Sequence, residues 1–188
     1  MRHIWLVLLV SQVWALDNTI VIDQIGSNNS YTVTQDGSGH SLNVTTGRVS
    51  DVDYLTLSVS QSGSAKTATV EVKSGINNGI SILQDGTGNH TASIQNLQGN
   101  ANNITINQTG AGTHDFSIVN GSGTTNSSNT ITATQSGGVG AEKSFNLGLN
   151  GATGATVSVT QTSSSANQGT MNITCSAGSC GTWTYTRQ

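Results

Sequence analysis

The sequence predicts an all-β protein, a two-sheet β-solenoid of about seven strand–arc–strand rungs. Three observations predict it. Stretches of about seven residues alternate strictly between inward and outward residue types, and they recur along the whole chain. The strong copies end on a glutamine, with a glycine two residues later in all but the last. Composition disfavours a thick core: of 188 residues only 34% are hydrophobic and 8% charged, with 23 Gly and no Pro. Average globular chains hold roughly 45–50% apolar and about 25% charged residues. A chain short of both, rich instead in Asn, Gln, Ser and Thr, fits a thin core between two sheets. Pro is missing from a sequence whose backbone must donate to β ladders throughout.

The strong copies establish the repeat. They are Asn18-x-Ile20-x-Ile22-x-Gln24, Asn29-x-Tyr31-x-Val33-x-Gln35, Asn78-x-Ile80-x-Ile82-x-Gln84, Asn102-x-Ile104-x-Ile106-x-Gln108 and Asn129-x-Ile131-x-Ala133-x-Gln135. Two more keep the glutamine and lose the asparagine: Leu55-x-Leu57-x-Val59-x-Gln61 and Ala155-x-Val157-x-Val159-x-Gln161. From Gln35 onward the glutamines recur about every 23 to 27 residues. Strict alternation marks a strand with one buried face. Asn and Gln share the parity of Ile and Val, so they point inward with them.

Between these lie copies led by a cation: His40-x-Leu42-x-Val44, Lys66-x-Ala68-x-Val70, His90-x-Ala92-x-Ile94, His114-x-Phe116-x-Ile118 and Lys143-x-Phe145-x-Leu147. A later copy runs Met171-x-Ile173-x-Cys175, and Gly181-x-Trp183-x-Tyr185 is the last. The expected arrangement is about fourteen strands in two sheets. The glutamine strands form one sheet; the first strand and the cation-led strands form the other. Gly26, Gly37, Gly63, Gly86, Gly110 and Gly137 are the expected turn glycines, supplying the positive φ of a tight arc.

Inward amides are tolerable only if they pair, since an unpaired buried amide costs roughly 1–3 kcal/mol. Stacked rungs about 4.8 Å apart let each amide donate to one neighbour and accept from the other. The predicted ladder comprises Gln24, Asn29, Gln35, Gln61, Asn78, Gln84, Asn102, Gln108, Asn129, Gln135 and Gln161. The cations His40, Lys66, His90, His114 and Lys143 form a second column. Free histidine titrates near 6.5, so this column predicts assembly that loosens between about pH 7 and 5.

The first fifteen residues read as a signal peptide: basic Met1-Arg2-His3, an apolar stretch from Ile4 to Trp14, and cleavage after Ala15. That leaves residues 16–188 as one repeat domain of a secreted chain. Cys175 and Cys180 stand close together near the C-terminus; in an oxidising compartment a local disulfide or two free thiols both fit.

Gln24-x-Gly26-x-x-Asn29-x5-Gln35 has the spacing of the curlin repeat, and Gln84-x-Gly86-x-x-Asn89-x5-Gln95 has it again. Over about residues 18–175 the chain resembles the curlin family, the subunits of curli amyloid fibres. The resemblance implies a β-solenoid that polymerises with copies of itself, a nucleator subunit, export through an outer-membrane channel, and an extracellular fibre on the cell surface. The usual serine six residues before the glutamine is asparagine here.

No enzyme, metal or cofactor site is expected. Asp36-Gly-Ser-Gly-His40 is a glycine turn, and the stretch from Gly138 to Ser144 has Glu142 where a phosphate loop needs its second glycine. The net charge of -3 and 4% aromatic content give nucleic acid little to bind. Two other readings remain: ice binding through outward threonine rows, such as Thr130, Thr132 and Thr134, and a monomeric surface or phage adhesin.

Overall fold

The computed structural model describes residues 17–23, 26–27, 29–46, 52–53, 55–72, 75–95, 99–120, 125–175 and 179–188. The predicted signal peptide and Gln24 lie outside them. The first strands are β1 (Thr19–Asp23), β2 (Gly26–Ser27), β3 (Ser30–Gly37), β4 (Ser41–Thr45), β5 (Val52–Asp53) and β6 (Thr56–Gly63). There follow β7 (Lys66–Glu71), β8 (Gly75–Ile76), β9 (Gly79–Asp85), β10 (His90–Ile94), β11 (Asn103–Gly110) and β12 (His114–Asn120). The last are β13 (Thr130–Gly137), β14 (Lys143–Asn150), β15 (Ala155–Gln161), β16 (Asn167–Thr174) and β17 (Gly181–Arg187).

Two seven-stranded sheets carry the fold. One runs β1-β4-β7-β10-β12-β14-β16 and the other β17-β15-β13-β11-β9-β6-β3. Every pairing is parallel and in repeat register, so each inward position becomes a column along the stack. This is the two-sheet β-solenoid that the sequence predicts, with the first strand in the cation sheet as expected. The short strands β2, β5 and β8 form a third sheet, which the alternation pattern does not announce. Two-residue strands are too short to show a period.

Alternation decides the burial. In β3 and β6 the residues Tyr31, Val33, Leu57 and Val59 point in and are buried, while their polar neighbours face solvent. The core between the sheets is therefore a stack of apolar columns, such as Tyr31, Leu57, Ile80, Ile104, Ile131 and Val157. Phe116 and Phe145 stack at 5.9 Å between ring centroids.

Sharp arcs join the sheets. Gly86 sits at φ 104°, and a Cβ there would lie 2.4 Å from Gly110 O on the next rung, so only glycine fits. Gly37, Gly63 and Gly110 share the positive φ. Gly137 does not, which corrects the expectation for it: a Cβ there would instead meet Ala141, so close packing rather than φ excludes a side chain. Gly26 opens the short strand β2. On the opposite arc Asn77, Ala101 and Ser128 take left-handed φ values of 55–58°.

Candidate functional site

Three columns of polar side chains run along the stack, and among the described residues the edge strands β1, β3, β16 and β17 each pair on one side only. The first column is the glutamine ladder. Each Nε2 donates to the Oε1 of the next rung: Gln35 to Gln61 at 2.8 Å, Gln61 to Gln84 at 2.9 Å, Gln84 to Gln108 at 2.9 Å, Gln108 to Gln135 at 2.9 Å and Gln135 to Gln161 at 2.7 Å. The second N–H crosses to the facing sheet, for example from Gln108 to Thr91 O at 2.8 Å and from Gln135 to Asp115 O at 2.9 Å. The same residue type returns in register on each rung, so no amide is stranded. β1, which leads to Gln24, lies in the opposite sheet. Among the described residues the ladder begins at Gln35.

The asparagines form a separate column that staples one arc. Asn78, Asn102 and Asn129 donate Nδ2 to arc carbonyls of the next rung: Gly99 at 2.9 Å, Asn126 at 2.7 Å and Ala152 at 2.9 Å. Their Oδ1 atoms accept backbone N–H groups, from Asn102 to Asn78 at 3.1 Å and from Ala155 to Asn129 at 2.9 Å. Asn29 is buried but has no partner for either side-chain atom among the described residues. Leu55 occupies its column between it and Asn78, so the asparagine ladder starts one rung later than the sequence suggests. Asn89 and Gln95 both face solvent: β10 buries His90, Ala92 and Ile94 instead.

The cation column staples the other arc. Register places Asn18, His40, Lys66, His90, His114, Lys143 and Asn167 in line. Lys66 is 1% exposed, and its Nζ donates to Ser64 O at 2.7 Å, Gly86 O at 2.8 Å and Gly88 O at 2.7 Å. Lys143 is held by Ala141 O at 2.7 Å, Ser163 O at 2.9 Å and Ser165 O at 2.7 Å. An ammonium has three donors and no acceptor, so three converging carbonyls satisfy it. Each lysine ties its own turn to the next. Burial lowers the pKa of both lysines, with partial compensation from Asp85 for Lys66 and from Glu142 for Lys143.

The histidines serve the same arc, each through one ring nitrogen. His40 Nε2 faces Asp36 O at 3.1 Å, His90 Nε2 faces Asp85 O at 2.9 Å and His114 Nε2 faces Thr109 O at 3.0 Å. A carbonyl can only accept, so Nε2 carries the proton. Nδ1 of each is buried with no described partner. The rings of His90 and His114 stack at 4.8 Å. Burial pulls His90 down to about 4, and His114 down as well. This corrects the expectation of titration near 6.5. Their place at strand starts suggested wet corners, whereas the arc folds over them.

Sequence reasoning missed the ends of this column. Asn18 Oδ1 accepts His40 N at 2.9 Å, and Asn167 accepts the last Nε2 of the ladder, from Gln161. One signal was available: each lies one repeat beyond a cation. Asn126, fully buried with Oδ1 accepting Ala152 N at 2.9 Å, gave none, because it sits in a loop without alternation.

At the C-terminal rung the repeat changes. Trp183 and Tyr185 replace the aliphatic columns, and Arg187 stands where the glutamine would. Tyr185 lies over Phe145 at 4.9 Å and donates its hydroxyl to Gln168 O at 3.1 Å. Gly169 leaves the room for both rings. Trp183 is 42% exposed and donates Nε1 to Cys180 O at 2.8 Å. Cys175 and Cys180 are disulfide-bonded, joining the end of β16 to the approach to β17.

Residues 17–47 match the family model of the curlin-associated repeat. Neither a curated protein nor a solved structure gives a match. The matched segment covers β1 to β4, one full rung and the start of the next, and later rungs repeat its in-register glutamine and alternating core. Residues 17–47 of this chain are thus similar to the curlin-associated repeat.

Proposed function

We propose that the chain is a secreted structural subunit that polymerises end to end into an extracellular, curli-like amyloid fibre. The observation that carries this reading is the parallel, in-register stack whose edge strands are, among the described residues, paired on one side only. At one end β1 and β3 each have a single strand partner, and at the other β16 and β17 do. Globular proteins protect such edges with charge, Pro, bulges or a covering element. This chain has no Pro, and its last strand is exposed along nearly its whole length. A copy docked on that edge would meet a strand of the same period. Family likeness adds a nucleator subunit and an outer-membrane export channel as partners, and biofilm matrix and surface adhesion as the setting. The columns are filled by the protein's own side chains, and no catalytic role is proposed for any residue.

Residues 16–188 are expected to form unbranched, thioflavin-positive fibres at neutral pH. Oriented fibres should diffract near 4.7 and 10 Å, the strand and sheet spacings. A chain that stays monomeric at high concentration would instead support the adhesin reading. One observation favours ice binding: the middle outward column of the second sheet, Thr32, Ser58, Ser81, Thr105, Thr132, Ser158 and Thr184, holds a hydroxyl on every rung. Its neighbouring columns are broken by Gly79, Leu83, Asn103 and Asn107. The fibre reading expects no thermal hysteresis.

A further inference from the structure

The glutamine ladder has a direction. Every Nε2 donates toward the C-terminal end and every Oε1 accepts from the N-terminal side. At the N-terminal end, Gln35 Oε1 therefore lies on the side away from Gln61 and accepts from no described residue. Its amide is fixed in that sense, because reversing it would break the bonds from Nε2 to Gln61 Oε1 at 2.8 Å and to Thr19 O at 3.5 Å.

At the C-terminal end the ladder stops before the last rung. Gln161 turns its N–H groups to Asn167 Oδ1 and to Ser144 O, so nothing is left to donate to residue 187. A glutamine at 187 would have an acceptor without a donor beneath it. Arginine has five donors and no acceptor, so Arg187 asks nothing of the rung below. Its guanidinium is exposed and bonds to no described residue. The same fold already shows how a buried cation is accommodated, in the carbonyl cages of Lys66 and Lys143.

We propose that Arg187 carries the glutamine ladder across the seam between copies, donating to Gln35 Oε1 of a second copy whose first rung docks on β17. This rests on the fibre reading given above and adds to it the residue that sets polarity and register at the seam. Column continuity supports it: Arg187 extends the column of Gln161, and the next in-register strand would be β3 of the second copy. The Trp183 and Tyr185 columns continue in the same way into Tyr31 and Val33.

The test compares Arg187→Gln with Arg187→Met, in residues 16–188, which hold every described strand. Both substitutions remove the charge, and only the first keeps a donor. The Arg187 side chain is exposed and bonds to no described residue, so the fold of the rung below is untouched. The readout is elongation rate from wild-type seeds. Arg187→Met is expected to elongate at least about tenfold more slowly than wild type, as one seam acceptor is buried unpaired. Arg187→Gln keeps the donor to Gln35, and its own Oε1 lies at an exposed position where water can donate to it, so it should fall between the two, within about threefold of wild type and clearly faster than Arg187→Met. Wild-type elongation matched by Arg187→Met overturns the seam role and leaves the fibre reading intact. Equal slowing of both variants overturns the donor role in favour of simple charge. Wild type that never elongates removes the fibre reading, and this inference with it.

Discussion

Gln108→Leu is expected to destabilise the soluble chain by about 4 kcal/mol and to slow assembly with it. Gln108 makes three bonds at the middle of the stack: it accepts from Gln84 at 2.9 Å and donates to Gln135 at 2.9 Å and Thr91 O at 2.8 Å. Leucine keeps the approximate volume and removes all three. An N–H of Gln84, the Oε1 of Gln135 and the carbonyl of Thr91 are then left without those partners where water does not reach. Each stranded group costs roughly 1–3 kcal/mol, and leucine's own burial offsets part of the sum. Thr132→Ser on the exposed face of the neighbouring strand is the control, with a change within about 0.5 kcal/mol. Urea unfolding midpoints of the two variants measure the difference. Similar midpoints for Gln108→Leu and Thr132→Ser would show that the ladder carries little of the stability.

The sheets were legible because a parallel stack writes its register into the sequence. Once Gln35, Gln61, Gln84, Gln108, Gln135 and Gln161 are aligned, every inward position between them is assigned. The same alignment holds the cation-led strands one half-rung away. What the sequence did not show were effects between columns rather than along them. Leu55 is an ordinary core residue by its parity, yet it isolates Asn29 from Asn78 because it occupies the asparagine's place in the stack. Gly137 has the sequence position of a positive-φ turn glycine, but the turn reaching Ala141 closes by contact instead. Lys66 and Lys143 were legible only as a column of cations at strand starts. Carbonyls drawn together by two successive arcs make them interior residues, and that convergence has no signature within one strand.

Acid should loosen the stack through His90 and His114. Their rings stack at 4.8 Å, between Lys66 on one side and Lys143 on the other. Protonation would place four cations in one buried column. Asp85 and Glu142 lie near it: Asp85 raises His90 and Glu142 raises His114, but in each case burial is the larger effect and points downward. The folded-state pKa of His90 is pulled down to about 4, against about 6.5 for a free histidine. A depressed folded pKa means that the unfolded chain binds the proton first. Stability is therefore complete above about pH 6.5 and is lost as pH falls from there to about 4. The loss is expected to be about 2 kcal/mol once screening at the turn is allowed for. The double variant His90→Asn, His114→Asn should lack it, and Asn18 shows that asparagine can reach an arc carbonyl from this column, Gly37 O at 3.2 Å. Burial raises Asp115, which is common to wild type and variant and cancels in the comparison; the bond from Ser62 lowers Asp85, which cancels apart from the smaller lowering it owes to His90. Urea midpoints of freshly dissolved chain at pH 7 and pH 4 are the measurement. Wild type should lose the larger share of its stability over that interval. Parallel losses in the two proteins would mean that the stacked histidines accept protons without opening the arc.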